Sequence, residues 1–212
     1  MFVKKCLICQ RPTEGGVICS DCKKALRKDY IDNFAERCPI CFFPVQDTVV
    51  KCPECGHFDF PIYSISLYSS WSRNVLELYK FHNVKQLAKV IAKIYLENIQ
   101  KLGIKNPVIV PVPCSQENFK KRGWDHMVEI CKQLPFEMKN ILISSGTGQQ
   151  KEKDFENRKQ QKFFVNKEMN VNLKNRNIIL IDDIYTSGYS LKAAYDQLDN
   201  DSCVAVTWFL KI

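Results

Sequence analysis

The sequence predicts an α/β protein with a mostly parallel sheet, preceded by a small cysteine-rich module. Two observations lead to this prediction. Eight of the 11 cysteines lie within the first 55 residues, as four Cys-x-x-Cys pairs. From residue 62 onward, strand-like apolar segments alternate with helix-like segments, which is typical of parallel sheets covered by helices. The 212 residues suffice for one small and one ordinary domain, which we place at 1–61 and 62–212.

Zinc explains the four cysteine pairs of the first domain better than disulfides or redox chemistry do. They are Cys6 with Cys9, Cys19 with Cys22, Cys38 with Cys41, and Cys52 with Cys55. The chain shows no secretion signal, and a single redox pair would not recur at such regular intervals. Because two such knuckles complete a tetrahedral site, we expect two structural zinc ions. Pairing in sequence and cross-braced pairing (first with third, second with fourth) both stay open.

The second domain should carry the positive charge of the protein. The whole chain has a formal net charge of +8, and residues 62–212 carry 22 basic and 15 acidic side chains. That balance suits an anionic ligand such as a phosphate or a nucleic acid. No Ser/Gly linker follows residue 61, so we expect the two parts to pack together.

The elements of the second domain follow from hydrophobic periodicity. We expect strands at 62–70, 107–113, 141–144, 178–182 and 203–210, and helices at 72–81, 84–102, 123–134 and 190–198. The first strand alternates, the others are short apolar runs, and the helix at 84–102 repeats its apolar residues at helical spacing. Residues 145–161 are polar and charged without a period, and we expect a mobile loop with a functional role.

Membrane insertion is not expected. The chain has no uninterrupted apolar run of about 18 residues, and its first ten residues lack the apolar core of a signal peptide. We therefore expect a cytoplasmic protein without a membrane span, either free or peripheral at the inner face of the membrane.

The stretch NIILIDDIYTSGYS at 177–190 holds the strongest candidate site. Asp182 and Asp183 end a buried strand, where ligands of parallel sheets bind. The loop after them offers hydroxyls, main-chain N–H groups and the flexible Gly188, which together suit a phosphate. Carboxylates beside a phosphate fit a sugar phosphate with Mg²⁺. The alternative is a plain acidic turn with Ser190 as the helix N-cap.

This stretch resembles the phosphoribosyl pyrophosphate (PRPP) loop of type I phosphoribosyltransferases, and three others resemble the ComF family of competence-associated proteins. The three are VPVPCSQENFKKRGWDH at 110–126, QQKEKDFENRKQQKFFV at 149–165 and YKFHNVKQLAKVIA at 79–92. A double zinc ribbon usually precedes the family's phosphoribosyltransferase-like domain. The chain departs from the family pattern at Trp124, Asp125 and His126, where Phe, Asn and Gln are usual, and at Cys114 and Ser115 after VPVP.

The resemblance implies roles for individual residues. Asp182 and Asp183 would bind the ribose hydroxyls, and Asp183 would act on an acceptor. The 5′-phosphate would be held by Thr186, Ser187, Gly188, Tyr189 and Ser190, the pyrophosphate and its Mg²⁺ by Lys121 and Arg122, and the hood would include Gln150 and Arg158. Cys114 beside the site is expected to pack rather than to act as a nucleophile.

Three functions are compatible with this resemblance. The first is a PRPP-binding protein that handles incoming single-stranded DNA during natural transformation, with Lys120, Lys121 and Arg122 along the DNA backbone and Trp124 stacked on a base. The second is a phosphoribosyltransferase that acts on an unknown base or amine. The third makes the zinc module a docking platform for a DNA-uptake helicase or another competence protein.

Overall fold

A computed structural model describes residues 4–13, 15–33, 35–45, 56, 58–144, 163–166, 172–200 and 202–211. The helices are α1 (Ser20–Lys28), α2 (Ser70–Lys80), α3 (Leu87–Lys101), α4 (Gln116–Arg122), α5 (His126–Cys131) and α6 (Tyr189–Tyr195), with a 3-10 turn at Ile31–Asn33. The strands are β1 (Glu36–Arg37), β2 (Pro44–Val45), β3 (Ile62–Leu67), β4 (Val108–Pro111), β5 (Glu137–Met138), β6 (Leu142–Ser144), β7 (Phe163–Val165), β8 (Ile178–Tyr185) and β9 (Cys203–Leu210).

Five strands form one sheet in the order β3-β9-β8-β4-β5, and all four pairings are parallel. This confirms the predicted α/β class. β9 lies between β3 and β8, and the buried hydroxyls of Ser64 and Thr207 are 2.8 Å apart across the β3–β9 pair. β4 ends at Pro111, opposite Ile181, whereas β8 continues to Tyr185. The second half of β8 therefore extends beyond the end of its neighbour β4.

The predicted helix at 123–134 is wrong at its start, because α5 begins only at His126 and the chain before Gly123 forms a separate helix, α4, which the sequence did not predict. Gly123 ends α4 with a φ of 75°, and its N–H bonds to the carbonyl of Phe119. Asp125 then begins α5 by accepting bonds from the N–H groups of Met127 and Val128 at 2.9 and 3.2 Å. A left-handed glycine followed by an Asp N-cap is a common stop and start signal. This break sets His126 at the first turn of α5.

Two pairs of short strands form two-stranded sheets apart from the main sheet. The predicted strand at 141–144 exists as β6, but it pairs antiparallel with β7 and not with the main sheet. β1 and β2 form another antiparallel pair within the cysteine-rich part. The segment 145–161, predicted as a loop, lies outside the described residues.

The cysteine-rich part shares a hydrophobic core with the α/β part, as the absence of a linker predicted. Cys6, Cys22 and Leu26 belong to the same buried cluster as Leu87 and Ile94 of α3. Nη2 of Arg27 on α1 also lies 2.8 Å from each carboxylate oxygen of Glu97 on α3. This charge-assisted contact links α1 to α3.

Within the part of the chain that the structure describes, none of the helices has the length and apolar character needed to span a lipid bilayer.

Candidate functional site

The two adjacent carboxylates lie in the part of β8 beyond the end of β4. The predicted strand end at 182 is wrong, because β8 keeps its pairing with β9 as far as Tyr185, so Asp182 and Asp183 lie within the strand. The carbonyl of Asp182 accepts a bond from the Tyr95 hydroxyl at 2.6 Å, which ties β8 to α3. The main-chain N–H of Asp183 donates to Oδ1 of Asp182 at 2.9 Å. Both contacts fix the backbone and the Asp182 carboxylate before any ligand binds.

Asp183 is a buried charge with two partners from distant parts of the chain. Only 8% of the residue is exposed. Its Oδ2 forms an ion pair with Nζ of Lys80, the last residue of α2, and lies 2.9 Å from Nε2 of His126. Burial of a carboxylate is tolerated when it is charge-paired and hydrogen-bonded. We therefore regard Lys80, His126 and Asp183 as one unit.

Burial shifts the titration of the groups around this unit. It lowers the pKa of Lys80 to about 8, although the charge of Asp182 acts in the opposite direction. It lowers the pKa of His126 well below its usual range, and the cations of Lys80 and Arg122 lower it further. It raises the pKa of Asp182 to about 7, with Asp125 adding to the rise and Lys80 opposing it. His126 is therefore neutral near pH 7, and Asp182 is poised between its two forms.

The loop after β8 is exposed and turns into α6 through a left-handed glycine. Thr186 and Ser187 are exposed, and Tyr189 is 50% exposed. Gly188 has a φ of 72°, is the N-cap of α6, and accepts the first helical bond from Lys192 N. Ser190 lies inside α6, so the alternative in which it caps the helix is wrong.

Aromatic rings leave no room for a side chain at Gly188. A Cβ there would lie 2.3 Å from Cζ of Phe58 and 2.9 Å from Cε2 of Tyr185. Both the positive φ and this close approach therefore require glycine. Phe58 lies at the end of the cysteine-rich part, just before β3. The cysteine-rich part therefore contacts the candidate loop directly through this ring.

The two basic residues predicted for pyrophosphate differ in their surroundings. Arg122 is half-buried, its charge acts on Lys80 and His126, and its Nη1 has no hydrogen-bond partner among the described residues. Lys121 is exposed and pairs with Glu117 on the same helix at 2.6 Å. The structure thus brings Arg122 toward the carboxylates and leaves Lys121 at the surface. The hood residues Gln150 and Arg158 lie outside the described residues.

Trp124 is not available for stacking on a base, so that prediction is wrong. Only 7% of the residue is exposed. Its ring packs edge-on against Tyr79 at a centroid distance of 5.1 Å, and Nζ of Lys85 lies 5.1 Å from the ring centroid. Trp124 is therefore part of the core beside the site.

Sequence reasoning assigned no role to Lys80, although it forms part of the centre of the site. The sequence did contain an indication of its position. Leu76, Tyr79 and Lys80 lie on the same face of a helix, so the aliphatic part of the Lys80 side chain continues a buried apolar stripe. A lysine on an apolar stripe near a helix end reaches into a site or out to solvent, and only the fold distinguishes the two.

Four thiols of the cysteine-rich part form a cluster that could hold a metal ion and is compatible with zinc. The sulfur atoms of Cys6, Cys9, Cys19 and Cys22 all lie within 4.8 Å of one another. Cys9 and Cys19 are 3.6 Å apart, close to the roughly 3.8 Å between two thiolates on one tetrahedral zinc. A bond from Arg11 lowers the pKa of Cys9 to about 6, which favours the thiolate that a metal needs.

This cluster joins the first two cysteine pairs, as pairing in sequence requires. Cys22 enters it from the first turn of α1, a helix that the sequence did not predict. Cys38 and Cys41 are described but belong to the second predicted site, whose other members Cys52 and Cys55 lie outside the described residues.

Comparison with known proteins gives two relatives that match most of the chain. No protein-family model matches it. Competence protein ComFC of Bacillus subtilis (strain 168) is 26% identical over 208 residues, which cover 92% of this chain and 83% of that protein. Competence protein ComFC of Streptococcus pneumoniae (strain ATCC BAA-255 / R6) is 24% identical over 202 residues, which cover 91% and 86%. These relatives support the assignment of this chain to the ComF family.

Proposed function

We propose that this chain is a PRPP-binding protein that acts in natural competence, where it handles incoming single-stranded DNA. The competence role agrees with the two relatives. PRPP binding depends on one observation, the juxtaposition of Asp182 and Asp183 with a hydroxyl-rich loop that turns through Gly188 into α6.

Each part of PRPP would have a partner in this arrangement. The ribose hydroxyls would donate to the Asp182 carboxylate, which could also help to hold Mg²⁺. The 5′-phosphate would lie on the loop at Thr186 and Ser187, where hydroxyls and main-chain N–H groups converge. Arg122 would face the pyrophosphate. Asp183 is already bonded to Lys80 and His126, so it would act mainly by holding those two groups in place.

A calorimetric titration of PRPP with Mg²⁺ tests the proposal. Asp182→Asn should weaken binding at least tenfold, or about 1.4 kcal/mol, because an amide cannot replace the carboxylate toward both hydroxyls and metal. Asp196→Asn is the matched control, since Asp196 is exposed at the C-cap of α6. Normal PRPP binding by Asp182→Asn would show that the loop assignment is wrong. Asp183→Asn is less suitable, because it leaves Lys80 buried without its charged partner.

Turnover of PRPP is the second candidate function, and Lys80 and Arg122 favour it. In this reaction the bond between C1 of the ribose and the pyrophosphate oxygen would break, and pyrophosphate would leave with the electron pair. Nearby cations would stabilise the negative charge that develops on the pyrophosphate. An acceptor nitrogen would form the new bond to C1. Release of pyrophosphate in the presence of candidate bases or amines would support this reaction. Binding of PRPP without release would leave the protein a PRPP-dependent binding protein.

The DNA-handling part of the proposal depends on charge. Lys120 and Lys121 are exposed on α4, directly after the loop that follows β4. Since Trp124 is buried, we expect contacts to phosphates rather than stacking. Exposed lysines near the carboxyl ends of the strands would place the DNA backbone close to the PRPP loop.

Salt dependence of single-stranded DNA binding tests this surface. Replacing both Lys120 and Lys121 with Ala should reduce the slope of log affinity against log salt by about 1–2, because fewer counterions are released. Lys89→Ala with Lys93→Ala, on the exposed side of α3, is the matched control. An unchanged slope would move the contact to another surface. If the wild type binds no DNA even at low salt, the role must involve a partner such as a DNA-uptake helicase, docked on the cysteine-rich part.

A further inference from the structure

Three potential metal ligands meet beside the carboxylate site. They are Cys114 in the loop after β4, Asp125 at the N-cap of α5, and His126 in the first turn of that helix. Their ligand atoms all lie within 4.8 Å of one another. This group is distinct from the four-cysteine cluster, and it includes three of the positions at which the chain departs from the family pattern described above.

His126 offers a buried nitrogen that the protein itself does not use. The residue is 5% exposed, and its Nδ1 has no hydrogen-bond partner among the described residues. The nearest carboxylate oxygen, Oδ1 of Asp125, is 3.9 Å away, too far for a hydrogen bond. Nε2 donates to Asp183 at 2.9 Å, so in the neutral ring Nδ1 carries the lone pair. A histidine held by a carboxylate on one nitrogen and free on the other is the usual arrangement of a metal-binding histidine.

Asp125 is also held in the orientation that a ligand needs. Its Oδ1 accepts from the N–H groups of Met127 and Val128, and its Oδ2 accepts from the N–H of Cys114 at 2.8 Å. A carboxylate has about four acceptor positions, so one remains. The same bonds fix the loop that carries Cys114 against the start of α5.

We propose that Cys114, Asp125 and His126 bind one divalent transition-metal ion, with zinc as the best match, and leave a fourth position open. Sulfur, nitrogen and oxygen ligands together suit zinc, whereas Mg²⁺ prefers oxygen ligands alone. Three protein ligands with one open position are typical of zinc sites that act on a ligand rather than on folding. A slight contraction would bring the three atoms to bonding distance from one ion. Binding would release the thiol proton of Cys114.

The charge balance of the surroundings favours the same conclusion. Asp125, Asp182 and Asp183 contribute three negative charges when ionised. Burial, together with Asp125, raises the pKa of the Cys114 thiol to about 12, so a thiolate, the fourth negative charge, forms only when a metal ion takes the place of its proton. Lys80 and Arg122 contribute two positive charges. A divalent ion would therefore neutralise the group. Through His126, the ion would also polarise the bond to Asp183, which couples the metal to the carboxylate site.

Counting bound zinc tests the proposal without any other ligand. The full-length protein is equilibrated with zinc, freed of excess ions and analysed for metal per chain. Cys114→Ser, Asp125→Asn and His126→Gln should each bind one ion fewer than the wild type. Asn retains the helix cap, and Gln retains a donor for Asp183, so these variants should fold. Cys131→Ser, a buried cysteine of α5 outside the group, should keep the full metal content.

Cobalt substitution provides a second measurement. Cobalt at a site with one thiolate gives a charge-transfer absorption that should disappear selectively in Cys114→Ser, while the stronger absorption of the four-cysteine sites remains. Equal zinc content and equal cobalt spectra in wild type and Cys114→Ser would refute the site. Because no PRPP is present, either outcome stands independently of the PRPP titration.

Discussion

Replacing Gly188 with Ala adds one methyl group where the loop after β8 meets the aromatic rings. The left-handed backbone, with a φ of 72°, costs an alanine about 1–2 kcal/mol. The new Cβ would also lie 2.3 Å from Phe58 and 2.9 Å from Tyr185, so both rings must move. These are the outer atoms of side chains that can rotate, so we assign this overpacking a further cost of about 1–3 kcal/mol. The expected loss of unfolding free energy is about 2–5 kcal/mol.

Gly123→Ala separates the two contributions. Gly123 has nearly the same φ, 75°, but a Cβ there would meet no atom within 4 Å. Gly123→Ala should therefore lower the unfolding free energy only by the cost of the left-handed backbone, about 1–2 kcal/mol. Urea unfolding followed by circular dichroism measures both variants. Adding Phe58→Ala to Gly188→Ala should recover the share of the overpacking cost that Phe58 causes, while the contact with Tyr185 remains. The comparison is corrected for Phe58→Ala alone, which loses its ring contacts with Phe60 and Tyr185.

Equal destabilisation by Gly188→Ala and Gly123→Ala would refute this reasoning, because it would mean that Phe58 does not lie on the loop. The direct contact between the cysteine-rich part and the loop after β8 would then be absent as well. A recovered double variant that also regains PRPP affinity would show that Phe58 and the loop move together.

Three further predictions follow from charge and burial. Lys80→Met should lower the unfolding free energy by about 3–5 kcal/mol in urea titrations, because Asp183 stays buried without its cation; a loss below about 1 kcal/mol would contradict the ion pair. Burial raises the pKa of Asp182 from 3.8 to about 7, so between these values the folded chain binds the extra proton, and its stability should fall as pH rises through this window. Asp182→Asn should make stability depend less on pH in this window. An equal fall in stability in the wild type and in Asp182→Asn would contradict the raised pKa of Asp182. Cys22→Ser should cost one metal ion and lower the melting temperature of the whole chain in a single calorimetric transition, whereas an unchanged second transition would argue against the shared core.

Local patterns predicted most of the elements, because each buries a continuous apolar segment. β9 matches its predicted range, and α3 lies within its own. The predicted helix at 123–134 begins too early, because Gly123 is the C-cap of α4 and Asp125 is the N-cap of α5, and these caps override the helix-like period. The sequence did not predict α1, because its first turn holds Cys22 and was interpreted as part of a zinc knuckle. β5 has two residues and exists only through its pairing with β4.

The carboxylates and the loop of the candidate site were predictable, because they are contiguous in sequence. Their partners were not. His126 lies 57 residues before Asp183, and only the order of the strands brings the start of α5 beside the end of β8. The burial of Trp124 depends on Tyr79 in the same way, since no local pattern shows which face of a short segment turns inward.

The position of β9 inside the sheet has a consequence for the protein during its synthesis. Ser64 and Thr207, whose hydroxyls meet across the β3–β9 pair, are 143 residues apart in the chain. At about 5–20 residues per second, a ribosome needs roughly 7–30 s to make the intervening segment. For that time the nascent chain exposes the edges of β3 and β8 that β9 will later cover, and open edges pair readily with other chains. We therefore expect the yield of folded protein to depend on chaperones that shield these edges until residue 210 has left the exit tunnel.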